Sequence, residues 1–199
     1  MENYLDSVDF ALRSYYESIQ HYQSEIIKTN QQLWEANYKI NTAEKQLSLG
    51  ELDPDENFPF GYIDHFFGMK AKGWSQSQEA TMMKEKLKIQ QESFNQLSGS
   101  ILQLAKQGLS YTYGDPSLWP TSPLIGSQAI SKVIRIARNQ SMHYEDGKPS
   151  KQTQECFELL EKELAISFDL TKNQGGVVVF QILHWSDHST FRKVMLNLK

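Results

Sequence analysis

The sequence is short of most residues that cross-link or punctuate a chain. One cysteine, Cys156, stands among 199 residues, so no disulfide can form within the chain, and a reducing, cytoplasmic setting is expected. Proline (six) and glycine (eleven) are scarce and gather in a few places, which favours helices. Isoleucine and valine are too scattered for repeated strands. No apolar run approaches the roughly twenty residues that a membrane-spanning helix needs, and no membrane partner is expected. Residues 1–6 are acidic and lack the apolar core of a signal peptide. A basic excess is missing too, with 20 Lys and Arg against 24 Asp and Glu and a net charge of −4. Non-specific nucleic-acid binding draws its affinity from counterion release at a basic surface, so a general RNA binder is disfavoured. A particular RNA, or one delivered by a partner, remains compatible. There is no glycine-rich phosphate loop, no Ser/His/Asp arrangement and no internal repeat. The fold class that remains is all-α, with 1–199 forming a single helical domain.

Two long runs of three- and four-residue apolar steps organise the first half of the chain. In the first, Leu5, Val8, Leu12, Tyr15, Ile19, Tyr22 and Ile26 lead on to Leu33, Ala36, Ile40, Ala43 and Leu47, with Thr29 in the one polar slot. The second starts near Ser75 or Ser77, either of which can cap it, with Glu79 in the first turn. It continues through Met83, Leu87, Phe94, Leu97, Ile101 and Leu104, interrupted by Gln90. Each run is a coiled-coil seam. Joined by one connection, they predict an antiparallel helical hairpin over 1–110 and an up-and-down bundle overall.

Residues 50–74 break the pattern as an inserted loop. Phe58, Phe60, Tyr62, Phe66, Phe67 and Trp74 make it too aromatic for a disordered linker. It is expected to cap the tips of the two helices, with a partner-binding surface as the alternative. Asp64 and His65 lack a third ligand and do not make a metal site.

The remainder, 111–199, is expected to hold the shorter helices. Gly114, Pro116, Pro120 and Pro123 mark a turn-rich link to a helix whose start lies near Gly126 or Ser127. Ser150 or Thr153 caps a further helix through Cys156, Phe157, Leu160, Leu164 and Phe168, with Glu155, Glu158, Glu161 and Glu163 outward. Cys156 lies in its apolar stripe, which suits a buried, inert thiol better than a nucleophile. After the break at 173–176, the run 177–183 is β-branched but has no second strand to pair with, so a buried short helix is predicted. Ser186 or Asp187 then caps a last helix through Phe191, Val194, Met195 and Leu198. His184 and His188 are four apart, but the first precedes that cap and the two need not share a helix.

Chemistry concentrates in the helix beginning Ile130, Val133, Ile134 and Ala137, which Gly147 and Pro149 stop. Arg138, Asn139 and His143 lie near its C-terminal end, and the last two share a face. A guanidinium is a permanent cationic fork for phosphate oxygens. An imidazole moves protons near neutral pH, and an amide can orient either group or a hydroxyl. The trio suits RNA cleavage by the RNA's own 2′-hydroxyl, in which a base removes that proton and a cation stabilises the crowded phosphorus. That scheme calls for no metal or other cofactor. Arg135, Lys132 and Lys148 are the candidate RNA contacts. One motif has one histidine for two proton transfers, and a symmetric partner would supply the second. The plainer reading is a solvated helix end whose Arg138 and His143 complement the negative end of the helix dipole.

Arg138, Asn139 and His143 resemble the motif of the HEPN superfamily, an arginine and a histidine four to six residues apart, often with asparagine directly after the arginine. The resemblance is close over about eighteen residues. A second, fainter likeness is the run Trp185, Ser186 and Phe191, similar to a C-terminal helix start of several bacterial members. Some toxin members place a tyrosine two residues after the histidine, where this chain has Glu145, with Tyr144 adjacent instead. Membership would imply a metal-independent endoribonuclease with a composite site across a homodimer. It would also imply a toxin–antitoxin, phage-defence or RNA-targeting CRISPR setting, with an antitoxin or regulatory protein as partner. Two other readings stay open: a helical scaffold that holds a partner by its seam and aromatic loop, and a silent module that binds RNA or a nucleotide.

Overall fold

The computed structural model of the chain describes residues 1–49 and 60–198, and at 46–49, 60–67 and 69 the backbone alone. The two seams form α1 (Glu2–Leu49) and α2 (Phe60–Tyr113). Two short strands follow, β1 (Leu124–Ile125) and β2 (Gln128–Ala129), paired antiparallel with Leu124 opposite Ala129 and Ile125 opposite Gln128. Then come α3 (Ile130–His143), α4 (Lys151–Leu164), the short α5 (Gly175–Val177) and α6 (His188–Asn197). The fold is all-α, as the spacing of apolar residues predicts. Among the described residues the small hairpin is the only sheet.

The chain divides into two compact units, one made of Met1–Tyr22 with Glu92–Lys199 and the other of Gln23–Gln91. In the first, Leu5, Leu12, Tyr16 and Ile19 of α1 are buried together with Ile101, Leu102, Ala105 and Leu109 of α2. The two segments run in opposite senses: Met1 meets Thr112, and the Tyr4 hydroxyl donates to the Leu104 carbonyl at 2.8 Å. Helices α3, α4 and α6 complete this core with Ile134, Phe157, Leu160, Phe191 and Met195, and the segment between α5 and α6 adds Val179 and Trp185. The Trp185 and Phe191 rings meet edge to face at 4.7 Å, a favoured aromatic geometry. In the second unit α1 and α2 again run oppositely, with Glu25 3.6 Å from Lys86. Among the described residues, only Thr29, Ala36, Ala80 and Gln90 are buried there.

Several boundaries differ from the expectation. Helix α2 begins at Phe60, so 60–74 is helical, and neither Ser75 nor Ser77 caps it. No proline follows Pro59 in this stretch, and single interior glycines such as Gly68 and Gly73 cost only about 1 kcal/mol each relative to alanine. The expected aromatic cap, and the Asp64–His65 pair, rest on side chains outside the described residues. Helix α3 starts at Ile130, because Gly126 and Ser127 form the turn of the β-hairpin. Helix α4 stops at Leu164, where Ala165 turns left-handed at φ 55°. Phe168 therefore leaves the helix and packs edge to face on Phe157 at 4.9 Å. The Phe168 N–H donates to Glu161 Oε1 at 2.7 Å, which draws that carboxylate inward while Glu155, Glu158 and Glu163 stay exposed. The 177–183 run is helical and mostly buried. After α5 it widens into a π-turn over Val178–Ile182, with the Leu183 N–H reaching the Val178 carbonyl at 2.9 Å.

Candidate active site

Helix α3 is fixed at both ends by hydrogen bonds that its sequence does not announce. At its start no side chain caps the helix. The preceding hairpin is held to α4 instead, by the Ser127 N–H on Glu163 Oε2 at 2.8 Å and by Gln128 Nε2 on the Cys156 carbonyl at 2.8 Å. The Glu163 carboxyl is kept below its ordinary range by the bonds from Ser127. Cys156 is buried, and burial pushes its thiol up, so it is no ready nucleophile.

At the other end, His143 leaves the helical conformation and residues Tyr144–Asp146 form a tight turn. Gly147 closes it at φ 69°, a left-handed position that glycine adopts without a Cβ penalty. Ser150 then caps α4, its Oγ accepting from the Thr153 N–H at 3.2 Å. The C-terminal end of α3 and the N-terminal end of α4 thereby face one cleft of about 400 Å³. Asn139, His143, Lys148, Ser150, Thr153 and Leu170 are among its walls.

The histidine is open to solvent, with 64% of its side chain exposed, and its Nδ1 lies 3.3 Å from Asp146 Oδ2. Asp146 is itself exposed, so this contact adds little stability. Tyr144 donates to Glu145 Oε1 at 2.9 Å. That bond raises the phenol's pKa, aided by partial burial and by the charges of Glu145 and Glu92. Tyr144 is therefore a neutral phenol at physiological pH and not a base.

Arg138 does not line the cleft. It faces α2, where its Nε donates to Gln103 Oε1, and its Nη1 donates to Asn139 Oδ1 at 3.2 Å. The asparagine is thus the link between the arginine and the histidine's cleft. Lys148 is a wall of the cleft, whereas Lys132 and Arg135 lie one to three turns back along α3. Their charges act on the Cys156 thiol, which places them beside α4.

Sequence reasoning missed the buried amides that position this end of α3. Gln140 Nε2 donates to the carbonyls of Leu170 at 3.2 Å and Lys172 at 2.7 Å, and its Oε1 accepts from the Gln174 N–H at 3.0 Å. Asn173 Nδ2 donates to the Ser141 carbonyl at 3.1 Å, and its Oδ1 accepts from the Gly175 N–H at 2.8 Å. All these polar groups are satisfied, which makes such a network rigid. Behind it the chain presses on α2 so closely that a Cβ on Gly176 would lie 2.3 Å from the Phe94 ring. The available signal was helical phase: Gln140 falls on the buried side of α3, where an unpartnered amide would be costly.

The two C-terminal histidines part company. His184 sits exposed in the left-handed region at φ 53°. His188 opens α6, with its Nε2 2.5 Å from Asp9 Oδ1 on α1. Asp187 caps that helix through the Thr190 N–H at 2.8 Å. Among the described residues no group of three or more His, Cys, Asp or Glu is placed to hold a metal ion, and no helix is long and apolar enough to cross a membrane. No family model, curated protein or solved structure matches the chain.

Proposed function

We propose that the chain is an endoribonuclease that cleaves RNA through attack of the 2′-hydroxyl on the adjacent phosphorus. The observation that carries this reading is the open cleft in which an exposed His143 stands with Asn139 and Lys148. A histidine buried as core filler would have excluded it. In this scheme His143 takes the 2′-hydroxyl proton, the 2′-oxygen bonds to phosphorus, and the bond to the 5′-oxygen breaks. Lys148 neutralises phosphate charge, and Asn139 holds the hydroxyl or the imidazole in line. Arg138 acts from beside the cleft: it orients Asn139, and its bond to the neutral Gln103 is readily exchanged for a phosphate. The departing 5′-oxygen needs a proton, which a second His143 across a two-fold homodimer would supply. No step requires a metal. A toxin–antitoxin or phage-defence setting, with a protein that restrains the activity, follows from the HEPN resemblance of Arg138, Asn139 and His143.

The test is cleavage of a mixed RNA pool in excess EDTA by the native protein and by His143→Ala. Native cleavage that leaves 2′,3′-cyclic phosphate ends, and is reduced at least a hundredfold in the variant, is expected from the loss of a proton-transfer group. Equal cleavage by both proteins would overturn the assignment.

A second reading draws on the other unit. Ile27, Trp34 and Tyr38 on α1, and Trp74, Met82 and Ile89 on α2, are all exposed, and the Trp34 and Tyr38 rings stack at 5.7 Å. Apolar side chains in such rows suit a helical interaction module, in which the cleft residues would be incidental. Truncating Trp34 and Tyr38 should then abolish partner binding, and neither the native protein nor the variant should cleave RNA.

A further inference from the structure

In a chain of net charge −4, helix α3 carries Lys132, Arg135, Arg138 and His143 and not one acidic residue. Positions 132, 135, 139 and 143 are separated by three, four and four residues, so they form one line along the helix. Burial agrees: Lys132, Asn139 and His143 are exposed and Arg135 is half-buried, whereas Ile134, Ala137 and Ser141 on the other side are buried. Several basic side chains elsewhere are matched to carboxylates, as Arg13 is to Asp9, Lys86 to Glu25, Lys172 to Asp169 and Arg192 to Asp6. Among the described residues no carboxylate forms an ion pair with Lys132, Arg135 or Lys148. Aligned cations without counter-charges repel one another, and an external polyanion relieves that repulsion.

The line is one side chain wide and, over eleven residues, on the order of 16 Å long. It ends at the cleft that holds Lys148. A duplex presents two phosphate strands across a broad groove and needs cations spread over a wider face. One row matches one backbone. We propose that the line Lys132, Arg135, Asn139 and His143 is a track for the phosphates of an extended single RNA strand, which lies along α3 and brings one phosphate to the cleft. This rests on the ribonuclease reading of the cleft and extends it to the shape of the substrate. Contacts to phosphate set register and carry no base information, so the track confers a preference for length over sequence.

The experiment separates binding from cleavage. A ten-nucleotide 2′-O-methyl strand has no hydroxyl free to attack and cannot be cut. Its binding to the native protein, followed by fluorescence anisotropy across a salt series, should weaken with a logarithmic slope of about −2, from Lys132, Arg135 and the cleft's Lys148 at about −0.7 each. The Lys132→Gln, Arg135→Gln double variant should lose about 1.4 of that slope, with unchanged far-UV circular dichroism. In parallel, the native protein should cut an ordinary ten-nucleotide RNA faster than a dinucleotide, and the double variant should lose that advantage. An unchanged slope, no binding by the native protein, or tighter binding of a ten-residue polyglutamate would overturn the track. Binding with the expected slopes but no cleavage of any RNA would keep the track and overturn the ribonuclease reading. Equal cutting of both lengths, untouched by the double variant, would keep the ribonuclease and overturn the track.

Discussion

The same three–four pattern of apolar residues runs through both units, yet it builds two different seams. In the unit of Met1–Tyr22 and Glu92–Lys199, the facing residues are large and fully buried: Leu5, Leu12 and Ile19 against Ile101, Leu102 and Leu109. Among the described residues of Gln23–Gln91 the buried positions are two alanines and two polar residues, and Leu33 and Leu87 are only half-buried. Thr29 Oγ1 and Gln90 Oε1 make no hydrogen bond there. A helix pair by itself leaves its outer faces to solvent, whereas the first pair is covered by four further helices. Periodicity names the face that is buried; depth depends on what lies over it.

The sharpest way to break the comparison is to remove the same side chain from each seam. Leu102→Ala should destabilise the first unit by roughly 2–5 kcal/mol, the cost of lost burial plus a cavity. Leu33→Ala in the second should cost well under half of that. Denaturant melts of the two variants would show it, and equal losses would mean that the seams are equivalent. Next in size is Gln140→Ala, which leaves the Leu170 carbonyl and the Gln174 N–H without this partner and the Lys172 carbonyl with only the Gln174 Nε2 bond at 3.3 Å. A loss of about 2–3 kcal/mol is expected, with faster amide exchange confined to 165–174. Protection unchanged in that segment would show that the amide is not what anchors it.

The second seam should respond in the opposite sense. Thr29→Val replaces an unpartnered buried hydroxyl with a methyl and should stabilise by about 1 kcal/mol, read as a higher melting temperature. No gain would mean that the hydroxyl is satisfied in solution. The smallest effect is acid sensitivity, and it belongs to the first unit. The bond from Arg13, then that from His188, holds the Asp9 carboxyl low, and Lys172 with Thr171 brings Asp169 to about 2. Asp187 is held low chiefly by Ser189 and Thr190. A folded-state pKa below the unfolded one gives stability that is complete above the unfolded value and is lost as pH falls through the folded value. Stability should therefore decline between about pH 4 and pH 2, with the Asp187 cap on α6, held low by several hydrogen bonds, among the last to be protonated. Asp187→Asn, which retains a cap without the charge, should flatten part of that decline in a circular-dichroism titration.

The motif helix was legible in the sequence because its apolar residues repeat at helical spacing and Gly147 stops it. Those are local properties of backbone and burial. The company kept by its polar residues was not legible. Arg138 and His143 are five positions apart on a helix, and only the packing of α2 decides that the arginine turns to Gln103 while the histidine faces the cleft. Asp146 could have been suspected from its spacing of three from His143. Leu170 could not, since it reaches the cleft through a loop that Gln140 ties down from thirty residues away.

By itself, then, the sequence determined the all-α class, the two long helices, the caps to within two candidates each (Ser150 or Thr153, Ser186 or Asp187) and the place of the Arg138–His143 motif, because each follows from short-range sterics, hydrogen bonding and the period of apolar residues. The tertiary structure alone decided the start of α2 at Phe60, the hairpin ahead of α3, the left-handed stop at Ala165 and the make-up of the cleft. These depend on contacts between residues far apart in the chain, where several local conformations are close in energy and packing selects one.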